Sequence, residues 1–126
     1  MCIRDRTYAS GGHPPALFFE KARAGDSNAT LLRTTNNVIG AMPEETYKKD
    51  KHTIGKQNRL YIFSDGVYEV EQSDGSMWQF KEFTDFMNKT DSGSQSKLDH
   101  LYRHAENISI EDNFADDFTI LEVAFG

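Results

Sequence analysis

The sequence of 126 residues is poor in the features that define several classes of protein. Its one cysteine, Cys2, excludes a disulfide framework and any zinc site built on paired cysteines. Its longest apolar runs, at residues 16–19 and 60–63, hold four residues, whereas a membrane span needs roughly 20. Residues 1–6 lack the apolar segment of a secretory signal. These absences predict a cytoplasmic protein with no membrane segment in this chain.

Charge is divided unevenly along the chain. The formal net charge is −6, but residues 1–59 hold 10 Lys and Arg against 6 Asp and Glu, and residues 60–126 hold 4 against 14. No basic stripe of the kind that binds a phosphate backbone is present, so nucleic acid is not an expected partner. The acidic half is either a solvated surface or a set of carboxylates that converge on a metal ion.

The spacing of apolar and turn residues predicts an α+β fold with a mostly antiparallel sheet and two helices between the last strands. The two glycines and two prolines of residues 11–15 end a first strand at residues 7–9. Further strands are predicted at 16–20, 30–33, 47–54, 60–63 and 118–125, the run at 60–63 being of the kind that is buried on both faces. One helix is predicted over 77–88, and a second carries Leu98, Leu101, Tyr102 and Ala105 on one face.

Two groups of carboxylates stand where predicted strands end or begin. Asp65 follows the strand at 60–63, and Asp116 and Asp117 precede the last strand. Each alone is explained by an ordinary turn or a solvated strand terminus. Together they form a set of oxygen donors with no Lys or Arg beside them in sequence, which hard cations such as Mg²⁺ and Mn²⁺ prefer.

Motifs for other hydrolytic chemistry are missing. Cys2 has no arginine six positions on, and the sequence contains no G-x-S-x-G, G-x-x-x-x-G-K-[ST] or H-E-x-x-H pattern. Two metal ions that share a water lower its pKa and clamp a phosphoryl oxygen without a protein nucleophile. The carboxylates therefore suit metal-activated water better than covalent catalysis.

Several motifs, in their order along the chain, resemble those of the metal-dependent PPM-type protein phosphatases, in the bacterial SpoIIE/RsbU-like serine phosphatase branch. They are the segments Tyr8-Ala9-Ser10-Gly11-Gly12-His13-Pro14-Pro15-Ala16, Ile39-Gly40-Ala41-Met42-Pro43, Ser64-Asp65-Gly66-Val67-Tyr68-Glu69 and Asp116-Asp117-Phe118-Thr119. The resemblance runs from Tyr8 to the end of the chain. It implies the C-terminal part of a PPM-type α-β-β-α sandwich.

The resemblance also implies roles for particular residues. Asp65 and Asp116 would be ligands of a dinuclear Mn²⁺ or Mg²⁺ centre, and Asp117 would support the site or reach the metal itself. Gly66 would permit the turn that aims Asp65. The remaining matched residues, Gly12, His13 and Glu69, would shape the surrounding loops. No side chain would act as a nucleophile, because water is the attacking group.

One part of the family pattern has no counterpart in this chain. The family's first metal motif, a Gly-Asp followed by a Gly-His-Gly segment, lies upstream of every motif seen here. We therefore expect residues 1–126 to be a partial phosphatase domain without its N-terminal half, with residues 1–6 outside the native domain sequence.

Two functions remain open at this point. The first is a protein serine/threonine phosphatase whose substrate is a phosphorylated STAS-type regulator and whose parent protein carries an upstream sensor or receiver domain; this fragment alone would be inactive. The second is a catalytically inactive module that docks the same phosphoregulator. Retention of aspartate at both visible ligand positions favours the first.

Overall fold

The computed structural model describes residues 4–20, 29–55, 57–89, 97–109 and 117–125. Within them the chain forms six strands and two helices in the order β1–β5, α1, α2, β6. The strands are β1 (Arg4–Tyr8), β2 (Ala16–Phe19), β3 (Thr30–Leu32), β4 (Asp50–Ile54), β5 (Arg59–Phe63) and β6 (Ile120–Ala124), and the helices are α1 (Phe80–Lys89) and α2 (Lys97–Ile108). The predicted α+β class is confirmed.

All strand pairs are antiparallel and fall into two sheets. A four-stranded sheet has the order β3-β2-β5-β6, and a two-stranded sheet pairs β1 with β4. In the larger sheet Leu17 lies opposite Tyr61, and Phe63 lies opposite Ile120. The strand β1 includes Arg4 to Arg6, the residues that we expected to lie outside the native domain sequence.

The helices cover one face of the four-stranded sheet. Side chains in strands alternate between faces, so Leu17, Phe19, Tyr61 and Phe63 share the face that packs against α1 and α2. Each helix contributes one buried stripe at a spacing of four residues: Phe83 and Met87 from α1, and Lys97, Leu101 and Ala105 from α2. Hydrophobic burial on this face is the main source of stability that the described residues offer.

A buried lysine joins the two helices. The Lys97 ammonium donates a hydrogen bond to the Met87 carbonyl at 3.0 Å and lies 3.7 Å from the centre of the Phe19 ring. Met87 belongs to the last turn of α1, where carbonyl groups have no partner within the helix. Lys97 therefore caps α1 from the first residue of α2, and the cation also contacts an aromatic face.

The opposite face of the sheet is only partly covered. The ring of Phe18 packs edge-on against His52 of β4, with ring centres 4.4 Å apart, so the two-stranded sheet lies over β2. Ile62 and Leu121 lie opposite each other on β5 and β6, yet they are 38% and 56% exposed. The prediction that residues 60–63 are buried on both faces is therefore wrong for Ile62, because little covers this part of the sheet.

Most predicted elements occur with shifted ends. The helix predicted over 77–88 begins instead at Phe80, and the strand predicted over 118–125 is assigned only to Ile120–Ala124. The polar strand predicted over 47–54 forms as β4, and it starts at Asp50. The segment Gly25-Asp26-Ser27-Asn28, whose composition predicts a turn before β3, lies outside the described residues. In the part of the chain that the structure describes, no helix is long and apolar enough to cross a membrane.

Candidate metal-binding end of the sheet

Several loops meet at one end of the four-stranded sheet. Antiparallel neighbours place the residues that follow one strand beside those that precede the next. Residues 10–15 precede β2, residues 33–36 follow β3, residues 64–67 follow β5, and residues 117–119 precede β6. We call these four segments the site end of the sheet. It includes five of the seven predicted site residues: Gly12, His13, Asp65, Gly66 and Asp117.

Ser64 holds two of these segments together. Its hydroxyl donates to the Asp117 carbonyl at 2.8 Å and accepts from the Thr119 amide at 3.2 Å. Its backbone amide donates to the Thr119 carbonyl at 2.9 Å. Since Asp65 is the next residue, this clamp fixes its backbone beside that of Asp117.

Asp65 begins a single 3-10 turn, Asp65–Val67, directly after β5. The Asp65 carbonyl accepts hydrogen bonds from the amides of Tyr68 at 3.2 Å and Glu69 at 2.9 Å. Val67 is fully buried and Gly66 is buried with it, whereas the side chain of Asp65 is exposed. The turn is therefore anchored in the core while its first carboxylate faces solvent.

Gly66 and Glu69, two of the predicted site residues, both take part in this turn through their backbone. Positive φ occurs at the described glycines Gly12, Gly40 and Gly75, so Gly66 does not adopt a left-handed conformation. Glu69 closes the turn through its backbone amide, and its side chain is exposed. That contact is consistent with the prediction that Glu69 orders the loop.

Tyr68 is the partly buried phenol next to the candidate carboxylates. Burial raises the pKa of Tyr68 above its ordinary value, and the nearby carboxylates of Glu69 and Asp65 raise it further. The phenol therefore stays protonated at neutral pH. Tyr68 cannot serve as a base there, and it packs against Phe63 and Phe83.

The acidic pair at the start of β6 is only half described. Asp117 is exposed, and Asp116 lies outside the described residues. Among the side chains that the structure describes, no group of three or more His, Cys, Asp or Glu lies close enough to hold a metal ion. The described donors fit a hard cation in type, since Asp65 and Asp117 offer carboxylate oxygens, but such an ion needs about six oxygen ligands.

At the site end, the backbone of Gly12 passes close to Val38. Its φ is +81°, and a Cβ atom at this position would lie 2.5 Å from Val38 Cγ2 and 3.1 Å from Val38 Cα. His13, the next residue, is exposed, and its Nδ1 lies 2.9 Å from the Pro14 carbonyl. The prediction that Gly12 and His13 shape a turn is consistent with these contacts.

A polar network that the sequence analysis missed holds this turn in place. Ser10 and Thr34 exchange backbone and hydroxyl hydrogen bonds, including Ser10 N to Thr34 Oγ1 at 2.7 Å and Thr34 N to Ser10 Oγ at 2.8 Å. The side-chain amide of Asn36 donates hydrogen bonds to the Ser10 carbonyl at 2.8 Å and to the Lys48 carbonyl at 3.0 Å. Small polar residues beside glycines were the available signal, although sequence spacing does not pair residues 24 positions apart.

Substitution of Gly12 tests how tightly its backbone packs against Val38. Gly40 also has positive φ, +85°, but nothing lies within 4 Å of its Cβ position, so Gly40→Ala adds only backbone strain of about 1–2 kcal/mol. Gly12→Ala adds the same strain and a clash with Val38, and overpacking costs about 1–3 kcal/mol more. Urea denaturation of both variants measures the difference. Equal losses in the two variants would contradict the close approach at Gly12.

Comparison with known proteins shows the family to which the chain belongs. The family model described as Stage II sporulation protein E (SpoIIE) matches residues 3–126. The chain belongs to the SpoIIE family. It is 27% identical over 120 residues to the phosphoserine phosphatase RsbU of Bacillus subtilis (strain 168), a match that covers 91% of this chain and 33% of RsbU. The resemblance to SpoIIE/RsbU-like phosphatases is thus confirmed.

Solved structures show the same fold. The SiaA-PP2C domain of Pseudomonas aeruginosa superposes with a TM-score of 0.71 at 16% identity, covering 98% of this chain and 47% of that one. The PP2C phosphatase domain of SpoIIE from Bacillus subtilis, solved with a fragment of its regulatory domain, gives 0.67 at 15% identity, with coverage of 94% and 33%. The SpoIIE-family chain therefore has the fold of part of a PP2C domain and spans one third to one half of these relatives.

Proposed function

We propose that residues 1–126 are the C-terminal half of a PPM-type protein serine/threonine phosphatase domain. The observation that carries the proposal is the Ser64 clamp, which holds the backbone of Asp65 beside that of Asp117. Two sequence-distant carboxylate segments thereby share one end of the sheet. Membership of a family that includes a phosphoserine phosphatase supports the same conclusion.

In this proposal Asp65 and Asp116 hold Mn²⁺ or Mg²⁺, with Asp117 as a supporting or additional ligand. A bound pair of such ions would supply an activated water and neutralise charge on the phosphoryl group. The 3-10 turn aims Asp65 outward from a buried anchor, and the Ser64 clamp sets its spacing to Asp117. The remaining ligands would come from the half of the domain that precedes this chain.

The proposed substrate is a phosphorylated serine or threonine on a regulatory protein, of the STAS type. An upstream sensor or receiver domain in the parent protein would control the reaction. The competing function is an inactive module that docks the same regulator, and it differs in one measurable property. A docking module binds the phosphoprotein without releasing phosphate.

Phosphate release by the intact protein that contains this chain tests the proposal. We expect Mn²⁺-dependent hydrolysis of a phosphoserine peptide that EDTA abolishes and added Mn²⁺ restores. Residues 1–126 alone should release no phosphate above background, since ligands are missing. Hydrolysis that is indifferent to EDTA would contradict the metal mechanism. Binding of the phosphoregulator without any turnover would instead establish the docking module.

A further inference from the structure

An apolar loop projects beside the site end of the sheet. Val38, Ile39 and Met42 are 60%, 75% and 59% exposed, three large apolar side chains within five residues. Single exposed apolar residues are ordinary on protein surfaces, whereas clustered ones mark interaction sites. We call residues 38–42 the apolar loop.

The apolar loop is held in a defined shape. The Ile39 amide donates to the Gly11 carbonyl at 3.3 Å, and the Ala41 amide donates to the Val38 carbonyl at 3.0 Å. At the base of the loop, the side-chain amide of Asn37 donates a hydrogen bond to Glu45 Oε1 at 3.0 Å. A preformed loop loses little conformational entropy when it binds a partner.

The apolar loop is attached to the site end of the sheet. Its hydrogen bond to Gly11 attaches it to the turn that carries Gly12 and His13, and Val38 packs against Gly12. It is distinct from the partly covered sheet face on which Ile62 and Leu121 are exposed. If the phosphate of a phosphoprotein lies at the site end, the protein surface beside the phosphorylated residue would contact this loop.

Charged side chains of both signs follow the loop along the chain. Glu44 is exposed two residues after it, and Lys48 and Lys49 are exposed further on, where Asn36 ties the backbone of Lys48 to the network that fixes Ser10. Two neighbouring cations favour an anionic phosphorylated segment. An exposed apolar cluster with charged residues nearby in the chain is typical of a protein-binding surface.

We propose that the apolar loop is the docking surface through which this phosphatase selects its protein substrate. The inference rests on the proposed function, because it assigns the loop to the substrate of that same site. Its occupant is an apolar surface patch of the phosphorylated regulator, next to the phosphorylated residue. The loop would lower KM for the protein substrate and leave hydrolysis of a small phosphate ester unaffected.

Paired kinetics on the complete phosphatase domain test the loop. Ile39→Ser and Met42→Ser are each assayed on the phosphorylated STAS-type regulator of the same genome and on p-nitrophenyl phosphate. Met77→Ser is the matched control, since Met77 is 41% exposed and lies outside the loop. We expect KM for the regulator to rise about tenfold in the two loop variants. Activity on p-nitrophenyl phosphate should stay within about twofold of wild type, and the control should match wild type on both substrates.

Each other outcome overturns the inference in a distinguishable way. An unchanged KM for the regulator would remove the loop from substrate selection. Equal losses on both substrates would mean that the loop supports the site's structure rather than docking. A change of oligomeric state on size-exclusion chromatography, with unchanged KM, would assign the loop to a second copy of the chain. If wild-type protein hydrolyses neither substrate, the proposed function itself fails and the inference fails with it.

Discussion

Asp65→Asn in the complete domain is expected to reduce metal-dependent phosphate release by at least about 100-fold. The change preserves the size of the side chain and the backbone bonds of the 3-10 turn, but it removes the anionic oxygen offered to the metal. Loss of even a residue that only supports a metal ligand costs about 10–100-fold in affinity or activity, so loss of a ligand should cost at least as much. Steady-state hydrolysis of a phosphoserine peptide over a range of Mn²⁺ concentrations measures the effect.

Glu69→Gln is the matched control for Asp65→Asn. Glu69 is also an exposed carboxylate on the same short segment, and its described contact to the turn is made by the backbone amide. The control removes the same charge four residues away, so a general electrostatic effect would appear in both variants. Activity that survives Asp65→Asn, or falls equally in Glu69→Gln, would contradict the assignment of Asp65.

Phe83→Ala is expected to lower the free energy of unfolding by about 3–5 kcal/mol. Phe83 is fully buried, and its ring centre lies 4.8 Å from that of Phe63 and 5.9 Å from that of Tyr68. The truncation opens a cavity between α1 and the sheet, next to Phe63, the last residue of β5 and two residues before Asp65. Urea denaturation of the complete domain measures the loss.

The same helix supplies the control for this variant. Asp85 is exposed on α1, and Asp85→Ala should change stability by less than about 0.5 kcal/mol. Phe83→Leu, which keeps most of the buried volume, should fall between the two. A loss below about 1 kcal/mol for Phe83→Ala would mean that the aromatic cluster is not the packed core described here.

Sequence periodicity was most reliable where one face of an element is buried. A helix was predicted over 77–88, and Phe83 and Met87 form its buried stripe. Of the residues predicted on one face of α2, Leu101 and Ala105 are buried, whereas Tyr102 is 46% exposed. Periodicity placed the start of α1 three residues too early, because Met77 is engaged in a bridge to Glu71. The Asp74-Gly75 pair was the signal for this turn: Gly75 has φ +85°, and Asp74 Oδ1 accepts from the Ser76 amide at 2.9 Å.

The residue types of the candidate site could be predicted from the sequence, but the hydrogen bonds that hold its segments together could not. Asp65, Asp116 and Asp117 stand out in the sequence only when taken together, because each alone is explained by an ordinary turn or a solvated strand end. Ser64, which holds Asp65 beside Asp117, looks like any serine before a turn, since its partners lie more than 50 residues away. Long-range hydrogen bonds depend on strand register, which the sequence pattern does not specify for an exposed strand end.

The proposed function requires Asp65 and the Asp116-Asp117 pair to bind metal. Anomalous diffraction from crystals of the complete domain grown with Mn²⁺ tests it most directly. We predict an anomalous peak about 2.0–2.3 Å from a carboxylate oxygen of Asp65, with Asp116 or Asp117 bound to the same ion or its neighbour. Manganese bound elsewhere, with Asp65 facing only water, would contradict the account.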